Sequence, residues 1–433
     1  MGSVQRRAKK RFSGGVGRQM KKKIFDRTGK AVALLMAAIM ALSGCDYSLS
    51  GKENSGIVQA DESAAESAKK QEKTGKQNVG EPAVLELYDV MTVPYMRLQA
   101  YGDNAYAALA LGEEKIKSLD ALLSTGNPES EIGKLNASGF ERLGDDASFL
   151  LKTSLDIYRQ TDGAFDVSVF PLMELWGFTN LFDTSLEEAI EEAEQKVKEK
   201  AEKGGSGSGK ESEPASEETR EAPSEADIQE VLKKVDCSKI VFHEETGEVT
   251  LPDGMKIDFG GIAKGYASQS VAEILRENGI TSAIMDLGGN IQAVGRKPNG
   301  SKWRIALNDR NKGGFLGILT VEDCAVITSG GYERNFRDAE GNIYHHIIDP
   351  KTGHPADNGF SVDASVTIIC ENGTMADALS TAMYVCGPQK AMDYWRAHRD
   401  EFQMIMMTDE NKMYVTEGIA DDYQSDYKYE VIH

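Results

Sequence analysis

The sequence has few of the residues that build metal clusters, disulfide frameworks or nucleic-acid surfaces. Only five cysteines and six histidines occur in 433 residues, and no two cysteines form a CxxC pair, which excludes zinc-ribbon and dithiol sites. Basic residues are also scarce, because 49 Lys and Arg stand against 69 Asp and Glu, for a net charge of -20. This balance excludes a nucleic acid as partner. An anionic ligand would need a local basic site or a metal ion.

Long apolar runs are few as well. The run AVALLMAAIMAL follows the basic stretch KKRFSGGVGRQMKKK and precedes LSGC, which ends at Cys45. At about a dozen residues this run is too short for a permanent membrane span, and its flanks are typical of a secretory signal peptide. We therefore predict a signal over residues 1–45, lipidation of Cys45, and an extracytoplasmic protein anchored to the membrane by lipid. An ordinary signal with a chance cysteine is the alternative, and Met20 is a candidate start.

Two segments have too few large apolar side chains to fold. Residues 46–80 are rich in Ser, Lys, Glu, Gln and Gly, and we expect a disordered tether there. Residues 184–226 contain the charged run LEEAIEEAEQKVKEKAEK and then GGSGSGKESEPASEETREAPSEA. Because folded-type sequence continues on both sides, we predict an exposed acidic insertion within one domain over residues 81–433.

Helical and extended patterns alternate through this domain. Apolar residues at helical spacing predict helices at about 104–123, 146–161, 263–278, 375–385 and 388–399. The pattern also predicts a strand at VLELYDVMTVPYMRLQAYG, a hairpin at KIVFHEETGEVTLP, and later strands such as SAIMDLGG, ASVTIIC and FQMIMMTD. Helices combined with many hairpin-like strands predict an α+β fold with a mixed sheet.

The segment IDFGGIAKGYA predicts a strand, a tight turn and a helix start. The strand ends at Asp258, a glycine pair follows, and a helix begins at about Ala263. Unpaired N–H groups at such a helix start, with Lys264 beside them, are able to bind phosphate oxygens. The segment matches neither GxxxxGK[ST] nor GxGxxG, so the usual nucleotide motifs do not apply. Simple packing at the turn is an equally good interpretation.

The segment ENGTMADALSTAMYVCG places Asp377 and Thr381 four residues apart. On a helix they lie on one face, one turn apart, and their oxygens suit Mg²⁺. A competing interpretation is a capping box, with Thr374 three residues before Asp377. Taken alone, the segment favours the cap.

Two further segments combine aromatic or imidazole groups with a carboxylate. In TDGAFDVSVFPLMELWGF we predict a turn into a strand, with Phe165 and Asp166 either lining a ring-shaped ligand or packing in the core. In IYHHIIDPKTGHP, His346 with Asp349 could form a base and its charge partner. Adjacent residues of an extended chain point to opposite faces, so at most one of His345 and His346 faces a given pocket. Histidines bonded within a loop are the commoner alternative.

Seven ordered motifs together resemble the ApbE family of FAD:protein FMN transferases, over about residues 85–415. They are LDALLSTGNPESEIGKLN, TDGAFDVSVFPLMELWGF, IDFGGIAKGYA, DLGGNIQAVG, VITSGGYERNF, YHHIIDPKTGHP and ADALSTAMYVCG. The resemblance implies a T-fold-like catalytic domain that binds Mg²⁺ and takes FAD as substrate. It further implies transfer of FMN to a Thr or Ser hydroxyl of a partner protein, with release of AMP, and a membrane-associated redox protein as the acceptor.

The resemblance also assigns roles to residues of this chain. It implies that Asp377, Thr381 and the main-chain carbonyl of Ala263 hold the metal, with Ser380 beside them, and that His346 is catalytic. The flavin contacts that it implies are Met91, Asn127, Ala164, Phe165, Asp166, Gly260, Lys264, Tyr266 and Ile347. Near Asn127 this chain departs from the family, because Gly126 replaces an aromatic residue.

Two other functions are compatible with the same motifs. With water as the acceptor, the site would be a Mg²⁺-dependent FAD pyrophosphatase that gives FMN and AMP. A tethered lipoprotein that binds flavin without catalysis is the alternative from another class.

Overall fold

The computed structural model describes residues 80–179, 220–309 and 313–433. The predicted signal with Cys45, the tether up to residue 79 and most of the acidic insertion lie outside the described residues. Within the described residues, no helix is both long and apolar enough to cross a membrane. The four cysteines in this part of the chain carry free thiols; they are Cys237, Cys324, Cys370 and Cys386.

The described residues form seventeen strands in chain order. They are β1 (Ala83–Val90), β2 (Val93–Tyr101), β3 (Phe140–Arg142), β4 (Val241–His243), β5 (Glu248–Thr250), β6 (Ser282–Asp286), β7 (Asn290–Gly295), β8 (Trp303–Asn308), β9 (Phe315–Val321), β10 (Ala325–Gly330), β11 (Asn335–Arg337), β12 (Ile343–His345), β13 (Ser365–Cys370), β14 (Gln403–Met407), β15 (Met413–Thr416), β16 (Tyr423–Gln424) and β17 (Tyr429–Ile432).

Eight α-helices are interspersed with the strands in the same described ranges. They are α1 (Ala105–Leu123), α2 (Glu131–Ser138), α3 (Asp145–Gln160), α4 (Phe170–Leu175), α5 (Glu225–Leu232), α6 (Ala263–Glu277), α7 (Gly373–Cys386) and α8 (Pro388–Ala397). The five helices predicted from apolar spacing are confirmed as α1, α3, α6, α7 and α8. The predicted hairpin is confirmed as β4 and β5.

Nine strands form one mixed sheet in the order β1-β2-β6-β7-β10-β13-β14-β15-β17. Neighbours in this sheet are antiparallel, except that β15 and β17 are parallel. The alternation of side chains along the central strands divides the core into two. On β14, Met404 and Met406 join one apolar cluster, whereas Ile405 and Met407 join the other.

The two faces of this sheet are covered by different layers. Helices α1, α6 and α7 cover one face, and α6 does so because Ala267, Val271 and Leu275 recur every four residues along one stripe. A small sheet of β8, β9 and β16 covers the other face. The expected α+β class with a mixed sheet is therefore confirmed.

Three sequence predictions about strands are wrong. The strand predicted to end at Asp258 does not form, because the chain between β5 and α6 is irregular. The strand predicted over 84–102 is the hairpin β1–β2, whose turn residues Met91 and Thr92 have φ of 52° and 59°. Such positive angles suit the twist of a two-residue hairpin turn. The strand predicted after Ala164 is a short 3-10 helix, Val167–Val169, that leads into α4. Asp166 caps it by accepting the N–H of Ser168, and Pro171 favours a first helical turn.

The predicted acidic insertion ends earlier than residue 226. Helix α5 begins at Glu225, where the Ser224 side chain accepts the N–H of Asp227. An N-cap serine followed by a first turn with Glu225 and Asp227 is a standard helix start, so the local sequence explains the boundary. Residues 220–223 lead into this helix.

A third apolar cluster holds the segment that carries the adjacent histidines. Trp176 packs against Phe336 of β11 and Tyr344 of β12, with ring centroids 6.4 and 5.2 Å away. The Trp176 indole N–H donates to the carbonyl of Gly353 at 2.8 Å. This cluster fixes the β11–β12 hairpin and the turn that follows it against α4.

Candidate active site

Helices α6 and α7 meet closely at Gly265 and Asp377. The N–H of Gly265 donates to Oδ2 of Asp377 at 2.8 Å. A Cβ on residue 265 would lie 2.2 Å from the carbonyl oxygen of Gly373 and 2.6 Å from the Cβ of Asp377. Only glycine therefore allows this approach, which places the Asp377 carboxylate against the first turn of α6.

The capping-box interpretation of Asp377 is wrong. Asn372 is the N-cap of α7, and its side chain accepts the N–H of Met375 at 2.8 Å. The Thr374 hydroxyl instead donates to the side chain of Gln269 at 2.8 Å. Asp377 is thus free of any capping role and faces α6.

The Asp377 carboxylate is suited to a cation. The residue is only 4% exposed, and burial raises the pKa of its carboxyl, while the charge of Lys264 and the N–H of Gly265 oppose that rise. The main-chain N–H groups of Gly265 and Lys264 are the hydrogen-bond donors that stabilise its charged form. A buried carboxylate with so few donors is costly to ionise unless a positive charge stands beside it. The predicted metal ligands Asp377 and Thr381 therefore fit a hard cation.

Side chains that usually bind metals are otherwise sparse here. In the described ranges, no group of three or more His, Cys, Asp and Glu side chains is arranged to hold a metal ion. A cation at Asp377 would depend on the Thr381 hydroxyl and on main-chain or substrate oxygens. Such an oxygen-only set is what Mg²⁺ accepts when it also contacts phosphate.

A hydroxyl network links α7 to the end of β10. The Ser329 hydroxyl lies 2.7 Å from that of Ser380 and 3.3 Å from that of Thr381. The Ser380 hydroxyl also donates to the carbonyl of Asp377 at 2.7 Å, and Ser380 is fully buried. Ser380 therefore positions α7 and Ser329, and we assign it no contact with the metal or the flavin. Sequence reasoning missed Ser329, which it treated only as the end of a strand.

Phe165 joins the same site. A Cβ on Gly261 would lie 3.1 Å from Cε2 of Phe165 and 3.6 Å from Oγ1 of Thr381. The phenyl ring, the glycine turn and the Thr381 hydroxyl are thus neighbours, and Ala164 is buried directly before the ring.

Asp166 serves the fold instead of facing the site. Its Oδ1 accepts from the N–H and the hydroxyl of Ser168 at 2.7 and 2.6 Å, and its Oδ2 accepts the N–H of Cys237 at 3.2 Å. Burial raises the pKa of this carboxyl, and these hydrogen bonds oppose the rise. The expected flavin contact of its carboxylate is therefore not supported.

Several N–H groups near the start of α6, where the sequence suggested unpaired donors, are already paired within the protein. The N–H of Ala263 donates to the carbonyl of Phe259 at 2.8 Å, and that of Gly265 is taken by Asp377. The N–H of Gly260 donates to Oδ1 of Asp258 at 3.0 Å. The ammonium group of Lys264 is a further candidate to bind phosphate here, and it lies 3.5 Å from the carbonyl oxygen of Gly260.

The two adjacent histidines face opposite sides, as predicted. Nε2 of His345 bonds to the carbonyl of Ala356 at 2.9 Å, and its Nδ1 accepts the N–H of Ile347 at 3.3 Å. Both ring nitrogens of His345 are thus occupied. His346 bonds through Nδ1 to the carbonyl of Arg334 at 3.1 Å. Because a carbonyl only accepts, Nδ1 carries the proton and Nε2 keeps a free lone pair.

The predicted charge partner of His346 is wrong. The carboxylate of Asp349 accepts the N–H of Lys351 at 2.8 Å, within its own turn. The carbonyl of Arg334 orients His346 in its place. Asp-Pro and Lys-Thr-Gly therefore form the turn, and a residue twelve positions earlier orients the ring.

His346 is electrically neutral near neutral pH. Burial lowers its pKa well below the usual value, and the positive charges of Arg334 and Lys264 lower it further. A neutral ring with a free Nε2 is able to accept a proton from a substrate hydroxyl.

Asp258 and Arg334 complete the site, and sequence reasoning assigned neither of them a role there. Burial raises the pKa of Asp258, while the charges of Arg334 and Lys264 oppose that rise. The site thus combines two carboxylates, those of Asp258 and Asp377, with two cations. The signal for Arg334 was present in the motif GGYERNF, but its guanidinium is brought beside His346 only by the fold.

Four predicted flavin contacts have other partners. The Tyr266 hydroxyl donates to Asp146, and its ring lies 5.2 Å from that of Phe149. The N–H of Met91 donates to Asp120 at 2.8 Å. Asn127 bonds within its own loop, and Ile347 is buried beside His345. Among the described residues, none of these hydrogen bonds or ring contacts involves Asp377 or Thr381. The four predicted flavin contacts therefore stay predictions.

Two FAD:protein FMN transferases are among the known proteins similar to this chain. An FAD:protein FMN transferase from Treponema pallidum (strain Nichols) is 41% identical over 148 residues, which are 32% of this chain and 40% of that protein. An FAD:protein FMN transferase from Escherichia coli (strain K12) is 26% identical over 338 residues, which are 74% of this chain and 83% of that protein.

Solved structures show the same fold. The ApbE protein from Thermotoga maritima has a TM-score of 0.64 at 27% identity, over 79% of this chain and 99% of that one. The flavin transferase ApbE from Vibrio cholerae has a TM-score of 0.61 at 22% identity, over 79% of this chain and 99% of that one. The model of the ApbE family matches residues 91–406. This match covers most of the chain, and the protein belongs to the ApbE family.

Proposed function

We propose that this protein is an enzyme that transfers FMN from FAD to a hydroxyl group of a partner protein. The names of its relatives in two bacteria support the reaction class. The observation that carries the proposal is His346, a neutral imidazole with a bound Nδ1 and a free Nε2 near the positive charges of Arg334 and Lys264. This arrangement matches what hydroxyl attack on a phosphoanhydride requires.

The proposed step exchanges one phosphorus–oxygen bond for another. A Thr or Ser hydroxyl of the acceptor attacks the phosphorus on the riboflavin side of the FAD diphosphate. The bond from that phosphorus to the bridging oxygen breaks, and AMP leaves with the bridging oxygen. Nε2 of His346 takes the hydroxyl proton. An alcohol is a weak nucleophile near pH 7, so its alignment and deprotonation are the tasks left to the protein.

We propose Mg²⁺ as the metal. Asp377, Thr381 and the carbonyl of Ala263 would hold it, since the Asp377 carboxylate is buried and lies against the first turn of α6. When bound, the ion supplies positive charge that offsets the charge of the diphosphate. Phe165 would pack beside the ligand next to the Gly261 turn, and Lys264 would add a second positive charge.

The cellular setting is part of the proposal. A signal ending at Cys45 would place the enzyme outside the cytoplasm on a lipid anchor, with residues 46–80 as the tether. An enzyme held at that surface would meet acceptors that are also membrane-associated, and a redox protein is the kind of acceptor that uses a bound flavin.

The test is incubation of the protein with FAD, Mg²⁺ and a candidate acceptor bearing Thr or Ser, followed by mass spectrometry of the acceptor. Transfer predicts an added mass of one FMN less water, together with AMP. His346→Gln should lower the rate by about 10²–10⁴-fold, because it removes the proton acceptor. His243→Gln, in the exposed end of β4, is the control.

Each other outcome identifies a different function. Rapid AMP and FMN release without acceptor, and no added mass, would show a pyrophosphatase. Flavin binding with no product of either kind would show a binding protein and contradict the enzyme proposal.

A further inference from the structure

The diphosphate of FAD needs more positive charge than the main chain at the start of α6 provides. The N–H groups of Ala263 and Gly265 are already bonded within the protein, and the chain as a whole is strongly acidic, at -20. A substrate phosphate would be repelled unless side chains supply the charge locally. Two cationic side chains act on this site, Lys264 and Arg334.

Arg334 is the better placed of the two to recognise a diphosphate. Its carbonyl accepts both the main-chain N–H of His346, at 3.0 Å, and Nδ1 of His346, at 3.1 Å. The backbone of Arg334 is thus fixed next to the proton acceptor. Its side chain is half-buried and close enough to Asp258 for their charges to affect each other.

The Arg334 guanidinium has no partner of its own within the described part of the chain. It forms neither a hydrogen bond nor an ion pair there, and Asp258 lies beyond ion-pair distance while accepting the N–H of Gly260. By contrast, Arg276 pairs with Asp323 at 2.7 Å, at the surface. A partly buried guanidinium without a partner is costly, so its five donors are available to a ligand.

We propose that the Arg334 guanidinium binds the diphosphate oxygens of FAD, while the main-chain carbonyl of the same residue orients His346. The planar fork of arginine suits two phosphate oxygens at once, which a lysine ammonium does not match. One residue thereby sets the distance between the phosphate and the proton acceptor. This inference deepens the proposed function and rests on it.

The side chain and the carbonyl of Arg334 are separable by mutation. Arg334→Gln removes the guanidinium and keeps the carbonyl, so His346 stays oriented. Arg334→Lys keeps the positive charge but loses the fork. Arg304→Gln, on the exposed side of β8, is the matched control.

The experiment measures binding of FAD and of riboflavin, which lacks phosphate, by flavin fluorescence with Mg²⁺ present. Arg334→Gln should weaken FAD binding by about 10- to 100-fold, the loss expected for charge-assisted hydrogen bonds. Riboflavin binding should change by less than about twofold, and Arg334→Lys should be intermediate for FAD, since it keeps only part of the interaction. Arg304→Gln should match the wild type.

Two results would overturn the inference. Equal weakening of FAD and riboflavin would show that the side chain only supports the fold, and unchanged FAD binding would show that it does not contact the diphosphate. Thermal unfolding checks the folding of each variant. If Arg334→Gln does not fold, Arg334→Lys decides by the same comparison of the two flavins.

Failure of the inference differs from failure of the proposed function. Wild-type protein that binds FAD through Arg334 but never modifies an acceptor would contradict transfer alone. Protein that modifies its acceptor, with Arg334→Gln binding FAD and reacting equally well, would contradict the inference alone.

Discussion

The two faces of the nine-stranded sheet differ in what their covering layers do. On the helical face, α6 and α7 bring Asp377, Ser380 and Thr381 to the junction of the two helices. On the opposite face, the small sheet of β8, β9 and β16 packs aliphatic side chains such as Ile305 and Leu319 against the main sheet. One layer therefore holds the candidate active site, and the other contributes mainly buried apolar area.

This difference has a physical cause. Glycines at a helix crossing let the backbones approach and side chains from two helices meet at one point. A sheet packed on a sheet pairs its main chain internally and interdigitates apolar side chains. Substitutions on the two faces should therefore separate activity from stability.

The largest effect is expected at Asp377. Asp377→Asn keeps the shape of the side chain but removes the charge that would hold a cation, so the rate of FMN transfer should fall by at least about 10²-fold. Mass spectrometry of the acceptor over time gives the rate. Asp400→Asn, exposed after α8, should leave it unchanged. A normal rate for Asp377→Asn would place the metal elsewhere.

The opposite face should show the reverse pattern. Leu319→Ala truncates a fully buried side chain and should lower the free energy of unfolding by about 2–5 kcal/mol. The transfer rate per folded molecule should not change, because Leu319 lies in the other apolar cluster. Urea unfolding measures the stability, with Leu111→Ala, which is 45% exposed, as the control. A lower transfer rate in folded Leu319→Ala would show that the two faces of the sheet are functionally coupled.

Gly265→Ala should lower both the stability and the transfer rate, unlike the two substitutions above. The new Cβ would meet the Gly373 carbonyl and Asp377, and relief of that overlap should cost about 1–3 kcal/mol of unfolding free energy. The helices must move apart at the site, so the transfer rate should fall as well. Gly126→Ala meets nothing within 4 Å and is the control for stability. Unchanged stability and rate in Gly265→Ala would contradict the close helix contact.

The smallest effect concerns pH. The folded pKa of His346 lies well below its ordinary value of 6.5, so the ring is already neutral at pH 6.5 and gains a proton only at lower pH. The rate at saturating FAD should therefore stay flat from about pH 8 to 6.5 and fall only below that range. A rate profile over pH 5 to 8 tests this, with unfolding monitored at each pH. A midpoint at or above 6.5 would mean that His346 is not the proton acceptor or is not buried in this way.

Local sequence patterns predicted five of the helices and the placement of Asp377 and Thr381 one turn apart on one of them, for a clear reason. The apolar spacing in α1, α3, α6, α7 and α8 is a property of each segment alone, and so is the one-turn separation of Asp377 and Thr381. The opposite orientation of His345 and His346 likewise follows from extended geometry. Patterns were weaker where a turn decides the structure, as at Met91 and after Asp166, because one side-chain cap or two positive φ angles change the element.

The sequence by itself determined the α+β class, the positions of five of the eight described α-helices and the ordered motifs that resemble the ApbE family. Only the tertiary structure decided which groups form hydrogen bonds with each other at the candidate site. The N–H of Gly265 donates to Asp377, which is 112 residues away in the sequence. The group that orients the His346 ring is the carbonyl of Arg334, and the Asp349 carboxylate bonds within its own turn instead. Periodicity encodes local conformation, whereas contacts between distant segments depend on how the sheet and its helices pack, which no single segment specifies.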